Sequence, residues 1–256
     1  MKLYVIRFNS IAKIIVLTFI AIGVLSVSYY SREKVAVVFQ SKRDLPIYSV
    51  ECSDKKIAIT FDCAWGSDDI PDILNTLRSH QVKATFFIVG TWAKKNPDAV
   101  KMISDEGHDV SNHSYSHSRM GSIDTNKIKN EIVKCNQVLE EITGKKNDLF
   151  RVPYGEYNND VVRVARELNN YTIQWDVDSL DWKPGITPEQ IKSRIFKNVK
   201  SGSILLFHND TKHTSKILPE IIASLKSDGY TLVPVSELIL RENYYIDNTG
   251  RQIIKK

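Results

Sequence analysis

The chain has 256 residues, of which 42% are hydrophobic, enough to bury the core of one ordinary domain. Its formal net charge of +5 lies at the two ends: Lys2, Arg7 and Lys13 contribute +3, and residues 241–256 contribute +2. Because residues 14–240 are neutral overall, a basic nucleic-acid groove is not indicated and no nucleic-acid partner is expected.

Residues 14–31 form an uncharged, strongly apolar run. Its length is about the minimum that can span a hydrocarbon core of roughly 30 Å. The positive-inside bias predicts that residues 1–13 are a cytoplasmic basic segment and that the chain after Arg32 lies outside the cell. We expect a single-pass anchor in the cell membrane. A cleaved signal is the alternative, since Ser26 and Ser28 offer small residues for cleavage, and the protein would then be secreted.

Residues 32–50 are mixed and polar, and they suit a spacer between the membrane and a domain at residues 51–240. In that domain β-rich runs alternate with helical patterns, which is typical of an α/β fold with a parallel sheet or barrel. The β-rich runs are residues 57–61, 84–89, 171–175, 203–207 and 231–233. Residues 241–256 remain as a basic C-terminal tail.

Helix boundaries are marked by caps. Asn96-Pro97 predicts a helix that stops at Gly107, and the capping box from Thr187 to Gln190 predicts one that ends by Gly202. Apolar stripes predict two further helices, one closed by Gly144 and one over residues 215–227.

Cys52, Cys63 and Cys135 are an odd number of cysteines without a close pair, so neither a disulfide framework nor a zinc ribbon is encoded.

Polar side chains follow several of the predicted strands. His113 and His117 are spaced i, i+4, so that one helical turn would bring both imidazoles to the same side and let them hold a divalent metal such as zinc. Taken alone, the pair also fits two solvated residues on a loop. Asp62 follows the run 57–61 and could take a proton from a metal-bound water, although a strand-end aspartate also caps turns.

Four further positions fit hydrolytic chemistry. Arg151 could clamp the Asp62 carboxylate and keep it ionised, and the amide of Tyr154 could face a developing oxyanion. Asp181 lies beside Trp182, and His208 ends an apolar run. A carboxylate paired with a histidine raises the imidazole pKa and suits it to be a general acid.

In these motifs the chain resembles the polysaccharide deacetylases with the NodB-homology domain. The motifs are Thr60-Phe61-Asp62, His113 to His117, Arg151 to Gly155, Asp178 to Trp182 and Leu205 to His208, in that order and over about 190 residues. The resemblance implies a distorted (β/α) barrel that removes N-acetyl groups from a β-1,4-linked N-acetylhexosamine polymer with a divalent metal, with zinc favoured and cobalt or another divalent ion as the alternatives.

The resemblance also assigns roles to residues. It makes Asp62 the general base held by Arg151, His113 and His117 metal ligands, and His208 the general acid oriented by Asp181. Trp65 and Trp182 are expected to stack on sugar rings, with Tyr154 beside the substrate.

One position departs from the family pattern. The second aspartate of the first motif, a metal ligand, is replaced by Cys63. Either a longer loop delivers Asp69 or Asp68 to the metal, with Asp69 favoured, or Cys63 ligates as a thiolate, or metal binding is weak and activity is lost. Asp69 could equally be only the N-cap of the helix that begins at Pro71.

The loop resembles the branch of the family in spore-forming Gram-positive bacteria, which implies cell-wall or spore-cortex peptidoglycan as the polysaccharide partner. The first expectation is therefore a membrane-anchored, monomeric, metal-dependent deacetylase of peptidoglycan or chitooligosaccharide. The alternative is a catalytically impaired wall-binding or sporulation structural protein on the same barrel. An amidase that cuts peptide stems would share the metal chemistry and differ in its pocket.

Overall fold

A computed structural model describes residues 8–39 and 43–255. Its helices and strands, in chain order, are α1 (Phe8–Phe39), β1 (Ser49–Val50), β2 (Lys56–Cys63), α2 (Ile70–Ser79), β3 (Thr85–Ile88), α3 (Gly90–Lys95), α4 (Pro97–Asp105), β4 (Asp109–Asn112), α5 (Thr125–Thr143), β5 (Leu149–Phe150), α6 (Asn159–Glu167), β6 (Tyr171–Thr172), β7 (Val177–Asp178), α7 (Pro188–Asn198), β8 (Ile204–His208), α8 (Thr214–Ser227), β9 (Thr231–Leu232), α9 (Val235–Leu238), β10 (Tyr244–Ile246) and β11 (Arg251–Ile254).

The chain divides into two compact units, Met1–Arg43 and Asp44–Lys256. The first contains α1, in which the window Ala12–Tyr29 is long and apolar enough to cross a membrane. This helix continues to Phe39, into the segment that the sequence suggests as a spacer. Lys2, Arg7 and Lys256, which carry part of the charge of the two tails, lie outside the described residues.

The second unit is built on a parallel sheet in the order β6-β5-β4-β3-β2-β8-β7, with β9 paired to the start of β2. Each pair in this sheet is parallel, and the sheet curls into a half-barrel with helices packed against it. The predicted distorted (β/α) barrel is confirmed in this form. The β2 residues from Ile57 to Cys63 are buried because β2 is flanked by β3 and β8 and covered on both faces.

Two of the caps predicted from the sequence are present. The capping box joins Thr187 and Gln190 at the start of α7, and Gly144 ends α5 with a left-handed backbone (φ 68°). Asn96 precedes α4 and Asp69 precedes α2, but neither side chain makes a capping hydrogen bond.

The second unit begins earlier and ends later than the predicted domain at residues 51–240. A smaller sheet has the order β1-β11-β10, so residues 49–50 pair with residues 251–252 from the basic tail. Gly202 permits this arrangement, because a Cβ on its left-handed backbone (φ +83°) would lie 1.7 Å from the Val50 carbonyl oxygen. The spacer and the tail thus supply strands to the folded unit, and only the tertiary pairing reveals this.

Candidate functional site

The side chains that the sequence suggests for catalysis gather at one edge of the large sheet. Asp62 and His208 end the neighbouring strands β2 and β8 and lie opposite each other in register. His113 and Arg151 directly follow β4 and β5, and Asp181 lies three residues after β7. Because parallel strands bring their carboxyl ends to one edge, residues from five strands form a single site.

Asp62 is held by a buried arginine. Arg151 is fully buried, and its Nη1 donates to Asp62 Oδ1 at 2.7 Å and to Thr60 Oγ1 at 2.8 Å. Burial raises the pKa of Asp62, but Arg151, His113 and His208 together lower it more, so that the pKa lies below its usual value. The Asp62 carboxylate is therefore ionised at neutral pH.

His208 is held by Asp181, which raises the pKa of its partner, whereas Arg151 lowers the pKa of Asp62. Asp181 Oδ1 accepts from His208 Nδ1 at 2.8 Å, and Asp181 Oδ2 accepts from the His208 amide at 2.8 Å and from Thr214 Oγ1 at 2.6 Å. Burial lowers the pKa of His208, whereas the hydrogen bond and charge of Asp181 raise it, so that the net pKa lies above 6.5. This pair favours an imidazolium that can donate a proton from Nε2.

His113 and His117 come together on a loop and not on the helical turn that their spacing suggests. Ser114 and His117 have left-handed backbones (φ 65° and 59°), and the two ring centroids are 5.1 Å apart. The loop is fixed by Glu131 of α5, whose Oε2 accepts from the Ser116 amide at 2.8 Å. The pair is brought together by backbone turns, which i, i+4 spacing does not reveal.

The first histidine has the lone pair that a metal ion requires. His113 Nδ1 is 2.9 Å from the Arg151 carbonyl oxygen, which can only accept, so Nδ1 carries the proton and Nε2 the lone pair. That nitrogen faces Asp62 Oδ2 at 3.4 Å, and burial lowers the pKa of His113 and keeps the ring neutral. Two acceptors that face each other in a buried site fit a cation between or beside them.

The second histidine is also neutral. Burial and the neighbouring His113 lower the pKa of His117 to about 4. His117 Nδ1 is 3.0 Å from Tyr154 Oη, and its ring packs edge-on against Trp65 with centroids 5.3 Å apart. The two imidazoles fit a divalent ion as ligands.

A third ligand is not assembled in the part of the chain that the structure describes, where no three His, Cys, Asp or Glu side chains are placed to hold a metal. Cys63 is fully buried and packs in the main hydrophobic cluster. Burial, followed by the charges of Asp62 and Asp69, raises the pKa of the Cys63 thiol well above its usual value. In the metal-free protein Cys63 is therefore a neutral thiol packed in the core.

Asp69, which the sequence favours as the third ligand, is not brought to the histidines. Its Oδ2 accepts from the Asp210 amide at 2.9 Å, in the loop that follows His208. Burial, opposed by that hydrogen bond, raises the pKa of Asp69. The reason is geometric, since Asp69 lies just before α2 and meets the β8 loop beside it.

The two loops after β2 and β8 are tied together at more than this point. We call residues 64–69 the β2 loop and residues 209–213 the β8 loop. Asn209 Nδ2 donates to the Trp65 and Gly66 carbonyl oxygens at 3.0 and 2.9 Å, and Trp92 Nε1 donates to the same two oxygens at 2.7 and 2.6 Å. These bonds fix the backbone that carries Trp65, while its indole remains 57% exposed.

Exposed aromatic rings surround the site. Trp65, Tyr154 and Trp182 are each more than half exposed, which is unusual for such large side chains and typical of surfaces that bind ligands. Beside His208 a groove of about 600 Å³ is bounded by Trp65, Trp182 and the β8 loop. This volume is in the range of small-molecule sites.

Sequence reasoning missed three supporting residues. Thr60 accepts from Arg151, Thr214 donates to Asp181, and Glu131 holds the histidine loop. Thr60 belongs to the motif Thr60-Phe61-Asp62. Thr214 and Glu131 lie on helices, and no local sequence pattern marks them.

Comparisons with known proteins agree with this site. Residues 49–173 match the family described as Polysaccharide deacetylase. A peptidoglycan-N-acetylglucosamine deacetylase of Bacillus cereus is 34% identical over 72% of this chain and 68% of its own length. The peptidoglycan-N-acetylmuramic acid deacetylase PdaA of Bacillus subtilis is 30% identical over 76% of this chain and 75% of its own length. The chain spans 65% of YlxY of Bacillus subtilis, at 34% identity.

A solved structure adds a contrast. BA3943 of Bacillus anthracis, described as a CE4 family pseudoenzyme, is 36% identical and superposes with a TM-score of 0.73 over 75% of this chain and 68% of its own. A mutant of BA3943 is described as having restored enzymatic activity. The fold is thus shared by proteins described as active and by one described as inactive. The sequence match and the shared fold together show that this chain belongs to the polysaccharide deacetylase family.

Proposed function

We propose that this protein removes acetyl groups from the N-acetylated amino sugars of a cell-wall polymer. One observation carries the proposal: Asp62 and His208 lie opposite each other on adjacent strands, each with its own orienting partner. Arg151 lowers the pKa of the first and Asp181 raises the pKa of the second. Two groups driven to opposite protonation states suit one base and one acid.

The proposed reaction uses these groups in order. Asp62 takes a proton from a water molecule as the oxygen of that water attacks the acetamide carbonyl carbon. His208 then donates its Nε2 proton to the nitrogen of the sugar as the C–N bond breaks. The products are acetate and a free amine. Arg151 keeps Asp62 ionised before the attack, and Asp181 holds the imidazolium in place.

A divalent metal, with zinc favoured, would be held by His113 and His117. Bound there, it would polarise the acetamide carbonyl and lower the pKa of a bound water. Asp69 is not proposed as its third ligand, because in the described residues no third His, Cys, Asp or Glu side chain is placed with the two histidines to hold a metal.

The polymer we propose is peptidoglycan. The names of the Bacillus cereus and Bacillus subtilis relatives both refer to amino sugars of peptidoglycan. A substrate outside the cell agrees with an anchor at α1, whose apolar window Ala12–Tyr29 would leave Asp44–Lys256 beyond the membrane.

The test is acetate release by the full-length chain in neutral detergent, with zinc or cobalt supplied, from peptidoglycan and from chitin oligomers. We expect release that falls at least about 100-fold in Asp62→Asn and in His208→Gln, since general acid–base groups contribute about 10² to 10⁴-fold. The control is Asp160→Asn, an exposed α6 carboxylate paired with Arg163, which should leave the rate unchanged. No release from either polymer with metal supplied contradicts the proposal.

The missing third ligand favours a second candidate, a protein that binds wall glycan without turnover. The neutral core thiol at Cys63 supports it, as does the similarity to BA3943. Under this proposal the full-length chain binds peptidoglycan fragments, retains no stoichiometric metal and releases no acetate. Acetate release that depends on Asp62 would reject it.

A further inference from the structure

The groove beside His208 carries two cations without partners. Lys183 follows Trp182, and Lys212 is four residues beyond His208, so two separate loops place ammonium groups on the same groove. Both lysines are exposed, and in residues 43–255 neither side chain makes a hydrogen bond or an ion pair. Their charges are therefore available to a ligand.

Several other exposed cations of the same unit are neutralised. Lys192 pairs with Glu220 at 2.9 Å, Lys101 with Asp105 at 3.2 Å, and Arg241 with Asp148. Lys183 and Lys212 are distinguished by their position, since both line the groove beside His208.

The acids of the groove are engaged elsewhere. Asp181 is 3% exposed and its oxygens are bonded to His208 and Thr214. Asp210 turns its carboxylate towards the β2 loop, where a Cβ on Gly66 would lie 2.4 Å from Asp210 Cγ. Neither acid therefore pairs with the two lysines.

Positively charged side chains continue past the groove beside His208. A second groove of about 570 Å³ shares the residues from Lys183 to Ile186 and reaches Arg194 on α7. The Nε of Arg194 donates to the Asp178 carbonyl oxygen, which directs the side chain along this wall. Glu189 also lines the second groove. A polymer that leaves the acid–base pair in this direction would pass Lys212, Lys183 and Arg194.

We propose that the grooves recognise carboxylates that branch from an N-acetylated glycan strand, with Lys183 and Lys212 as the binding residues. Exposed tryptophans beside the lysines would contact the sugar rings, and the ammonium groups would contact acidic substituents. The favoured ligand is then an anionic wall glycan and not a neutral polymer such as chitin. The inference rests on the proposed function only in placing a glycan at this site.

Calorimetric titration of the full-length chain in neutral detergent tests the proposal without requiring turnover. The probes are chitotetraose, a peptide-free tetrasaccharide of alternating N-acetylglucosamine and N-acetylmuramic acid, and the same tetrasaccharide with peptide stems. We expect the carboxylate-bearing probes to bind about ten-fold more tightly than chitotetraose, since one exposed charge pair contributes up to about five-fold. The preference should shrink in high salt.

The double variant Lys183→Gln/Lys212→Gln should lose this preference while it keeps its affinity for chitotetraose. Lys197→Gln removes an exposed α7 lysine that lines neither groove, and it should bind all three probes as the wild type does. Circular dichroism melting checks that each variant is folded.

Tighter binding of the peptide-free probe would assign the recognised group to the lactyl carboxylate, and a gain seen only with stems would assign it to the peptide. Equal affinity for all probes, or a preference that survives the double variant, overturns the proposal. Preferential binding without acetate release would contradict only the proposed function. Acetate release without preference would contradict only the carboxylate-binding groove.

Discussion

At the scale of single residues, the site depends on two carboxylates with opposite tasks. Asp62 accepts a hydrogen bond from the Arg151 guanidinium and stays ionised. Asp181 accepts a hydrogen bond from the His208 imidazole and raises the pKa of that ring. Both are almost fully buried, so each partner acts through a medium that screens charge weakly. The chemistry of each acid is therefore set by its neighbour.

Asp181→Asn should lower the pKa of His208, because the amide keeps the shape of the carboxylate but removes its charge. The imidazole pKa is read from NMR signals of the His208 ring during a pH titration. In the wild type, the raised pKa of His208 contributes stability that is present below pH 6.5 and is lost as the pH rises through the folded-state value. The variant should lose this pH dependence. A His208 pKa that does not move would contradict the role given to Asp181.

Cys63→Asp should increase the amount of zinc retained, because it restores the carboxylate that the family pattern has at this position. We expect metal analysis after dialysis to show more zinc per chain than in the wild type. Cys63→Asn is the matched control, since it has the same shape without the charge. Equal zinc in both variants would show that residue 63 cannot reach the metal from its place in the core.

At the scale of secondary-structure elements, the loops after β2 and β8 act as one unit. Asp69 supports the β8 loop and Asn209 supports the β2 loop, so each fixes the backbone of the other. His208 and the exposed Trp65 therefore hold their places relative to each other. Through this reciprocal tie Asp69 supports the architecture of the site.

Asp69→Ala should loosen the β8 loop, because the Asp210 amide loses its acceptor. Hydrogen–deuterium exchange of the peptide containing residues 209–212 should become about five-fold faster, in line with the roughly 1 kcal/mol contributed by one hydrogen bond. Asp69→Asn retains an acceptor oxygen and should exchange nearly as slowly as the wild type. Unchanged exchange in Asp69→Ala would exclude the tie.

His108, just before β4, makes the stability of this region sensitive to acid. Its Nδ1 accepts from the Ala84 amide at 3.2 Å, and burial lowers its pKa to about 4. The unfolded chain takes up the proton near pH 6.5, so the free energy of unfolding should fall as the pH drops from 6.5 to 4, by about 3 kcal/mol. His108→Gln should weaken this dependence in denaturant titrations. An equally steep loss in the variant would assign it to other groups.

At the scale of the whole molecule, the folded unit is closed by its own ends. Residues 49–50 lie beside β11, and the Tyr48 and Glu51 amides donate to Gly250 and Gln252 at 2.8 and 2.7 Å. Gln252 is fully buried and its amide side chain bonds to Leu240. The C-terminal segment is thus part of the core architecture.

A chain that ends at Leu240 should be strongly destabilised, because β1 loses its partner and Ile47 and Val50 lose their cover. We expect the melting temperature to fall by at least about 5 °C, given about 2 to 4 °C per kcal/mol for a unit of this size. Removal of residues 255–256 alone is the control and should have little effect. An unchanged melting temperature in the longer truncation would show that residues 241–256 do not stabilise the folded unit.

Much of the fold could be predicted because local signals are strong. The runs at residues 57–61 and 203–207 match β2 and β8, and the capping box at Thr187 begins α7. The ends of the folded unit are harder to predict, because β1, β10 and β11 are short and the pairing of β1 with β11 joins residues about 200 positions apart. The histidine loop was misread as a helical turn, since spacing alone does not reveal left-handed residues such as Ser114.

The sequence by itself indicated the chemistry at the strand ends, because Asp62 and His208 each follow an apolar run and Arg151 and Asp181 lie in motifs with Pro153 and Trp182. The sequence also determined that position 63 has a cysteine and not the aspartate of the family pattern. Only the tertiary structure decided what Asp69 contacts, because the Asp210 amide comes from a distant loop. The burial that keeps the Cys63 thiol neutral is likewise a property of the packed sheet and helices.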